Sequence, residues 1–517
     1  MSEQGTGLQP RVRRRAARDA TAAGKGRTPN YRNLVNPFEP LRVFSDDQVE
    51  AIHRNALRLL EEIGMRVLLP AAHEKFKVAG AAVEEDTMMV RIDRGLVEKA
   101  LATAPKVLEM RGGAAHRNVR LGGRNVAFQT VAAAPYASDL DRGKRPGSIA
   151  DFENFVKLTQ SFDVLHMLAP ATEPQDVPVH LRHYAMTRAQ LTMSDKAPWI
   201  FCRGTRQVEE CFEMVRMVRG LSKEAFAANP YCYTVINTNS PLQLDMPMAQ
   251  GILDFAKAGQ MLIATPFCLA GAMAPITIAG ALSLQHAEAM AAITLYQAVR
   301  PGGPVLYGSF ASNVDMRSGS PAFGTPEHVK TSIGAGQMAR RLGLPWRSAA
   351  GTASNAPDVQ ADYETQLSTW GAVMGGCNFL LHGAGWLEGG LTASFEKLMT
   401  DLETLQSFAE MFQPVPTDVD DLAFDAIHDV GPGGHFFGSS HTMSRYQSAF
   451  YEPLISDWSN FGKWSEEGAR TATDRANALW KKTIADFTPP PLDNAIREQL
   501  EDFIQRRTQE GGAPIED

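Results

Sequence analysis

Eight short apolar segments, each followed by a stretch of helical periodicity, constrain this chain more than any other feature. The apolar segments lie at 125–130, 164–170, 197–203, 231–237, 261–269, 304–310, 345–350 and 377–381. The helical stretches lie at 149–162, 179–193, 207–219, 247–258, 284–299, 326–342, 358–375 and 394–411. In the seventh of these, Val359, Tyr363, Leu367, Trp370 and Met374 recur at helical spacing, Asp358 is placed to cap the start, and Gly375-Gly376 to end it. Parallel strands cannot be joined by tight turns; each needs a crossover, usually a helix. The alternation therefore predicts an α/β fold. Eight repeats predict a (β/α)8 TIM-type barrel, with a doubly wound open sheet as the alternative. A parallel sheet covered on both faces also accounts for residues 261–285, which contain no charge. Pro266 and Pro275 interrupt them, so they read as buried strand rather than as a membrane span.

The remaining segments are arranged around a barrel at 121–412. Residues 1–35 carry Arg11, Arg13, Arg14, Arg15 and Arg18 with no apolar segment behind them, and read as a disordered basic tail rather than a secretory signal. Residues 36–120 read as an N-terminal α+β leader packing on the barrel, with helical spacing at 46–64 and 91–103. Residues 413–517 form a C-terminal extension, first rich in aromatics and glycine, then largely helical at 465–484 and 491–509; such a composition is expected to pack on the barrel. A net charge of −7 with 21% charged residues argues against a nucleic-acid binder. The five cysteines, Cys202, Cys211, Cys232, Cys268 and Cys377, are odd in number and form no CxxC, which predicts a cytoplasmic protein without a disulfide framework or zinc knuckle. The absence of GxGxxG opening a helix, GxxxxGK[ST], HExxH and GxSxG argues against a dehydrogenase, an NTPase and a typical hydrolase.

In a parallel β/α fold, chemistry collects where strands end, because the loops vary while the strands hold them still. Those ends supply Gln129 and Thr130, Arg203, Asn237, Thr238, Asn239 and Ser240, then Tyr307, Ser309 and Phe310, then Thr352, Ser354 and Asn355, and last His382, Trp386 and Glu388. The set is short of acid–base pairs and long on amides, hydroxyls and aromatics. It suits a substrate that is held and desolvated rather than deprotonated. Aromatic faces beside an acid suit a quaternary ammonium, which is attracted to the ring quadrupole. Each residue also has a plainer reading: Trp386 and Tyr307 as packing, His382 as a structural histidine, Glu388 as a carboxylate near a helix start. His435 and His441 lack an evident third metal ligand.

Four motifs add a resemblance: AAPYASDLDRGKRPGSIADF at 133–152, AGAMAPITIAGALSLQHAE at 270–288, PVLYGS at 304–309 and GPGGHFFGSSHT at 431–442. In this order they resemble the trimethylamine methyltransferase (MttB) family, over nearly the whole chain after about residue 40. The resemblance implies a (β/α)8 barrel that transfers a methyl group from a methylated amine to the cobalt of a separate corrinoid protein. Trimethylamine enzymes of the family carry pyrrolysine in the loop after the seventh strand. Here that loop reads AGTASNAPD, and the matching position falls at or near Gly351. The chain thus resembles the non-pyrrolysine branch, which implies demethylation of glycine betaine or a related quaternary amine rather than trimethylamine. On this reading Gly351, His382 and Glu388 lie at the reacting centre. Gln129, Asn237, Tyr307, Phe310, Thr352, Ser354, Asn355 and Trp386 contact substrate, and a betaine carboxylate is hydrogen-bonded by Thr352, Ser354 or Asn355. No metal and no tightly bound cofactor of the chain's own are implied, since the corrinoid belongs to the partner; a homo-oligomer is compatible. Two rival classes remain: a metal-dependent barrel lyase or hydrolase using His382, Glu388 and His435, and a non-catalytic binder of quaternary amines.

Overall fold

The computed structural model describes residues 30–514. The arginine-rich segment expected to be a basic tail lies outside the described residues, except for its last few positions. The described chain divides into two units: residues 413–453 with Asn30, and residues 31–412 with 454–514.

The larger unit is mixed α/β. Its central strands are β1 (Asn125–Phe128), β2 (Tyr233–Ile236), β3 (Met261–Ala264), β4 (Val305–Gly308), β5 (Trp346–Ala349) and β6 (Phe379–Leu381). They pair in the order β1-β6-β5-β4-β3-β2, every pair parallel. Helices α1 (Ile149–Ser161), α2 (Val179–Met193), α3 (Thr205–Arg219), α4 (Met246–Ala258), α5 (Ile278–Val299), α6 (Pro326–Leu342), α7 (Val359–Met374) and α8 (Phe395–Met411) fall on the eight expected helical stretches. Their starts are fixed by side chains that accept orphan backbone N–H groups, among them Ser148, Asp245, Thr277, Thr325, Asp358 and Ser394.

Two of the eight expected strands differ. Residues 164–170 and 197–203 form only single parallel bridges, Phe128↔Leu165 and Trp199↔Tyr233. Backbone bonds accompany these bridges: His166 N–H to Phe128 O (2.8 Å), Leu168 N–H to Ala197 O (3.0 Å) and Ile200 N–H to Tyr233 O (2.9 Å). Pro170 and Pro198 lack the N–H that a continuous ladder needs. Two others are each split. Pro266 separates β3 from Phe267–Ala270, and Ser309 separates β4 from Phe310–Val314; the two outer pieces pair with each other in parallel.

The interior of the sheet follows the two-residue period of strands. Met261 and Ile263, Phe379 and Leu381, and Tyr233 pack into one cluster, which a hairpin of the leader (Leu108–Met110 with Val119–Leu121) joins through its own apolar residues. Elsewhere the leader clads the helices: His53 on its first long helix (Asp46–Arg58) lies 2.9 Å from His286 of α5. Its strand Met65–Val67 pairs with Gln243–Leu244, just past β2. Of the C-terminal helices, Ala472–Ala485 packs on α8 through Trp480, whose Nε1–H donates to Glu396 (2.9 Å), and Asn494–Gln509 packs against α3 and α2. In the smaller unit, short helices (Val419–Leu422, Phe424–Val430, Ser440–Arg445) bury no side chain, and Phe437 and Phe450 are more than four-fifths exposed (85% and 83%).

Helix α7 has the expected extent, but the apolar stripe that reveals it faces solvent: Val359, Tyr363, Leu367 and Trp370 are 79, 51, 45 and 39% exposed. Its buried face is mostly small, with Ala361, Thr365, Ser368, Thr369, Gly371 and Ala372 beside Glu364 and Val373. A Cβ on Gly371 would lie 3.1 Å from Val329 Cα, so α6 and α7 approach too closely for large residues between them. Phe379→Ala, which empties an interior position of β6, is expected to lower unfolding stability by about 3–5 kcal/mol, whereas Leu367→Gln on the exposed stripe changes it by less than about 0.5 kcal/mol, both read by chemical denaturation.

Candidate active site

At the C-terminal ends of the strands a cavity of about 490 Å³ opens. Asn237 beyond β2, Phe267 beyond β3, Phe310 beyond β4, Arg347 within β5, and His382 and Trp386 beyond β6 all line it, together with Trp199 and Phe201. The volume is that of a small-molecule site. Its aromatic wall is interlocked. Phe310 meets Trp386 edge to face at 5.4 Å and lies tilted against Phe267 at 4.9 Å, and His382 meets Trp386 edge to face at 4.1 Å. Phe323 stacks on Phe310 from behind, at 5.5 Å.

The loops that carry these rings are held by buried polar groups. His382 takes a left-handed backbone (φ 56°), its N–H bonds Thr130 O (3.2 Å), and Gly385 N–H bonds Asp401 of α8 (2.8 Å). The loop after β2 wraps the buried carboxylate of Glu288, which accepts from Thr238 Oγ1, from Ser240 Oγ (2.7 Å) and from Leu242 N–H (2.7 Å). Burial raises the pKa of Glu288 despite these donors. The backbone N–H of Ala132 donates to His382 Nδ1 (3.2 Å), while burial, and then Arg347, push the pKa of the ring well below 6.5. His382 is therefore neutral, with its proton on Nε2.

Arg347 is 1% exposed. Its Nη1–H donates to Ser309 O (3.0 Å), its guanidinium lies 5.4 Å over the Phe310 ring, and its Nε–H has no acceptor. Desolvation lowers its pKa to about 9. The other arginine on the wall, Arg203, is paired with both oxygens of Glu173.

Of the residues expected to react or to contact substrate, His382, Trp386, Phe310 and Asn237 line the cavity; Arg203, Thr238 and Asn239 of the wider strand-end set line it too, and the rest do not. Gly351 lies behind the wall: its φ is not positive, and a Cβ there would sit 3.6 Å from Trp386 and 3.8 Å from Phe323, ordinary contact distances. Glu388 accepts from Lys144 Nζ (2.5 Å) and Thr392 Oγ1 (2.8 Å); burial opposes its charge, but these donors hold its pKa below the usual range. Thr352 is engaged by Glu364, Ser354 by Asp358 (3.0 Å), and Asn355 is exposed. Gln129 is fully buried and donates to Leu168 O (2.8 Å) and to Tyr233 Oη. Tyr307 turns toward α5, 2.9 Å from His286 Nδ1. Sequence reasoning missed Arg347, Trp199, Phe201 and Phe267. Only Arg347 leaves a signal, as the single charged residue in the apolar run PWRSAA. Among the described residues, no group of three or more His, Cys, Asp or Glu side chains is arranged to hold a metal ion.

A parallel α/β fold with an aromatic-walled cavity opening at its strand ends has the layout of an enzyme for a small molecule. A family model described as Trimethylamine methyltransferase (MTTB) matches residues 11–512. Glycine betaine methyltransferase of Desulfitobacterium hafniense (strain Y51) is 36% identical over 472 residues, 91% of this chain and 98% of that one. Trimethylamine methyltransferase MttB of Desulfitobacterium hafniense (strain DSM 10664 / DCB-2) is 28% identical over 477 residues, 91% and 94% of the two chains. Among solved structures, the monomethylamine methyltransferase MtmB of Methanosarcina barkeri aligns with a TM-score of 0.44 at 11% identity, covering 91% of this chain and 94% of that one. The protein is an α/β methyltransferase. It belongs to the trimethylamine methyltransferase family.

Several buried histidines share the depressed pKa of His382, chiefly through desolvation: His53, His183 and His328 at about 4 and His166 at about 3, against an ordinary 6.5. Below pH 6.5 the unfolded chain binds protons that the folded chain refuses, so stability is full above that pH and is lost as pH falls toward 4 and 3. Denaturation midpoints are expected to be flat from pH 7 to 8 and to fall steeply below about 6. His328→Asn should make that fall shallower.

Proposed function

We propose that the chain is a (β/α)8 barrel methyltransferase that removes a methyl group from a quaternary amine of the glycine betaine class and passes it to the cobalt of a separate corrinoid protein. The bridges at Leu165 and Trp199 support the barrel reading, because they lead by backbone bonds from β1 to β2 and complete a circuit of eight segments. The sequence relationship to a glycine betaine methyltransferase supports the substrate class. So does the loop AGTASNAPD after β5, with glycine where the trimethylamine branch is marked by pyrrolysine.

The observation that carries the reaction is the cavity: aromatic rings around a neutral His382, with no acid set against a base. A quaternary nitrogen leaves as a neutral amine, so removing its methyl group needs no proton donor. The partner's reduced corrinoid supplies the nucleophile that takes the methyl group. The cavity is too small to enclose a corrin ring, so this chain's task is to hold the substrate. Trp386 offers its ring to the cation, Phe310 and Phe323 hold that ring in place, and one methyl group is left facing the opening of the cavity. Gly351 leaves Trp386 room to keep its position. Five free, buried cysteines support a reducing cytoplasm, and among the described residues no helix is long and apolar enough to cross a membrane. The exposed stripe on α7 supports association of copies of the chain.

Mixing the protein with a reduced corrinoid protein and glycine betaine should convert the cobalt(I) spectrum to that of methylcobalt(III); cobalt(I) that persists indefinitely would refute the reading. Trp386→Leu is expected to weaken glycine betaine binding by roughly 1–2 kcal/mol in calorimetry. Gly351→Ala should retain activity, since its Cβ meets only ordinary contacts, whereas Gly351→Leu should displace Trp386 and abolish turnover while the protein still folds, with a modestly lowered melting temperature.

A further inference from the structure

Resting on the quaternary-amine reading, we propose that Arg347 is a carboxylate receptor built into the pocket wall, which makes the natural substrate a zwitterion and sets the enzyme against quaternary amines that carry no anionic group. The guanidinium is almost completely removed from water, yet its partners among the described residues are the carbonyl of Ser309 and the ring of Phe310, with no carboxylate among them. A buried, unpaired charge is unfavourable, and a ligand carboxylate in the cavity that Arg347 lines would complete the pair. The fork of Arg347 uses Nη1 on a backbone carbonyl and keeps Nε unsatisfied, the arrangement that suits a planar carboxylate.

The surrounding wall has the same imbalance. Two other side chains on it, Trp199 and Trp386, have indole N–H groups without an acceptor, and His382 carries its proton on Nε2. Donors are thus in excess over acceptors. The one acid on the wall, Asp245, is committed elsewhere: it caps α4 through Met248 N–H (2.8 Å) and accepts from Asn239 (3.0 Å). The hydroxyls once expected to bind the carboxylate, those of Thr352 and Ser354, are spent on Glu364 and Asp358. Phe310 connects the two ends of the ligand: the guanidinium lies over its ring, and its edge-to-face contact with Trp386 continues the wall to the cation side. Without its carboxylate, a quaternary cation would share the chamber with an unneutralised Arg347 and be repelled.

The test is calorimetric titration of the full chain with glycine betaine, choline and tetramethylammonium, beside the variants Arg347→Met and Arg347→Lys. The wild-type protein should bind glycine betaine about 100-fold more tightly than either cation. Arg347→Met should lose about 100-fold for glycine betaine and bind choline as well as or better than the wild type, with an unchanged or raised melting temperature because an unpaired buried charge is gone. Arg347→Lys, which keeps the charge but not the fork, should fall between. Should Arg347→Met fail to fold, Arg347→Gln decides: it keeps a polar side chain in the wall but removes the charge, and must lose glycine betaine affinity about as far as expected for Met while tetramethylammonium affinity does not fall. Equal wild-type affinity for glycine betaine and choline, or equal losses for both in Arg347→Met, would overturn the receptor and leave the quaternary-amine reading intact. Failure of the wild-type protein to bind any of the three would instead overturn the quaternary-amine reading itself.

Discussion

Parallel register between neighbouring strands is the constraint on which the site depends. Gly308 lies opposite Arg347, Arg347 opposite Phe379, and Ala349 opposite Leu381. Just beyond, Phe267 lies opposite Phe310. Because side chains alternate along a strand, a slip of one residue would turn Arg347 into the helical layer and bring Trp346 into the cavity. The layer outside makes that slip costly. Trp346 fits against Gly336 and Gly375, where an added Cβ would come within 3.1 Å of the indole, and its Nε1–H is bound by Ser309 (2.8 Å).

Register alone would leave the loops free, and the buried charges restrain them. Glu288 gathers the loop after β2, Asp401 fixes Gly385 in the loop after β6, and the leader strand Met65–Val67 closes over Gln243–Leu244. These groups support the pocket without entering it. Inside, only Arg347 is left charged and unpaired, while His382 is kept neutral by desolvation. The chamber is organised to bind charge rather than to move protons, in keeping with a reaction whose leaving group is a neutral amine.

The repeating architecture was legible in the sequence because helical periodicity and apolar strands report directly on burial. Helices α2 and α6 have the expected limits; the uncharged run 261–285 begins as strand, as expected, but Pro266 splits it in two and α5 already starts at Ile278. The orientation of α7 was not legible: its tight approach to α6 requires small residues inside, so the apolar stripe marks the outer face. At the site, strand-end position identified Phe310, Asn237, His382 and Trp386. It could not tell which polar side chains were already satisfied. Thr352, Ser354, Gln129 and Tyr307 each have partners outside the cavity that only the tertiary arrangement supplies. Arg347 was hidden for a different reason: it lies within β5 rather than beyond a strand end.

The central claim is that this chamber holds a methylated quaternary nitrogen while a methyl group leaves it. A single turnover with glycine betaine carrying 13C in its N-methyl groups, followed by NMR in the presence of stoichiometric reduced corrinoid protein, tests it most directly. The account predicts N,N-dimethylglycine and a 13C-methyl–cobalt species in equal amounts, neither forming when the protein is omitted. Glycine betaine recovered unchanged from folded protein and reduced corrinoid, or a product cleaved at any bond other than methyl carbon to nitrogen, would contradict it.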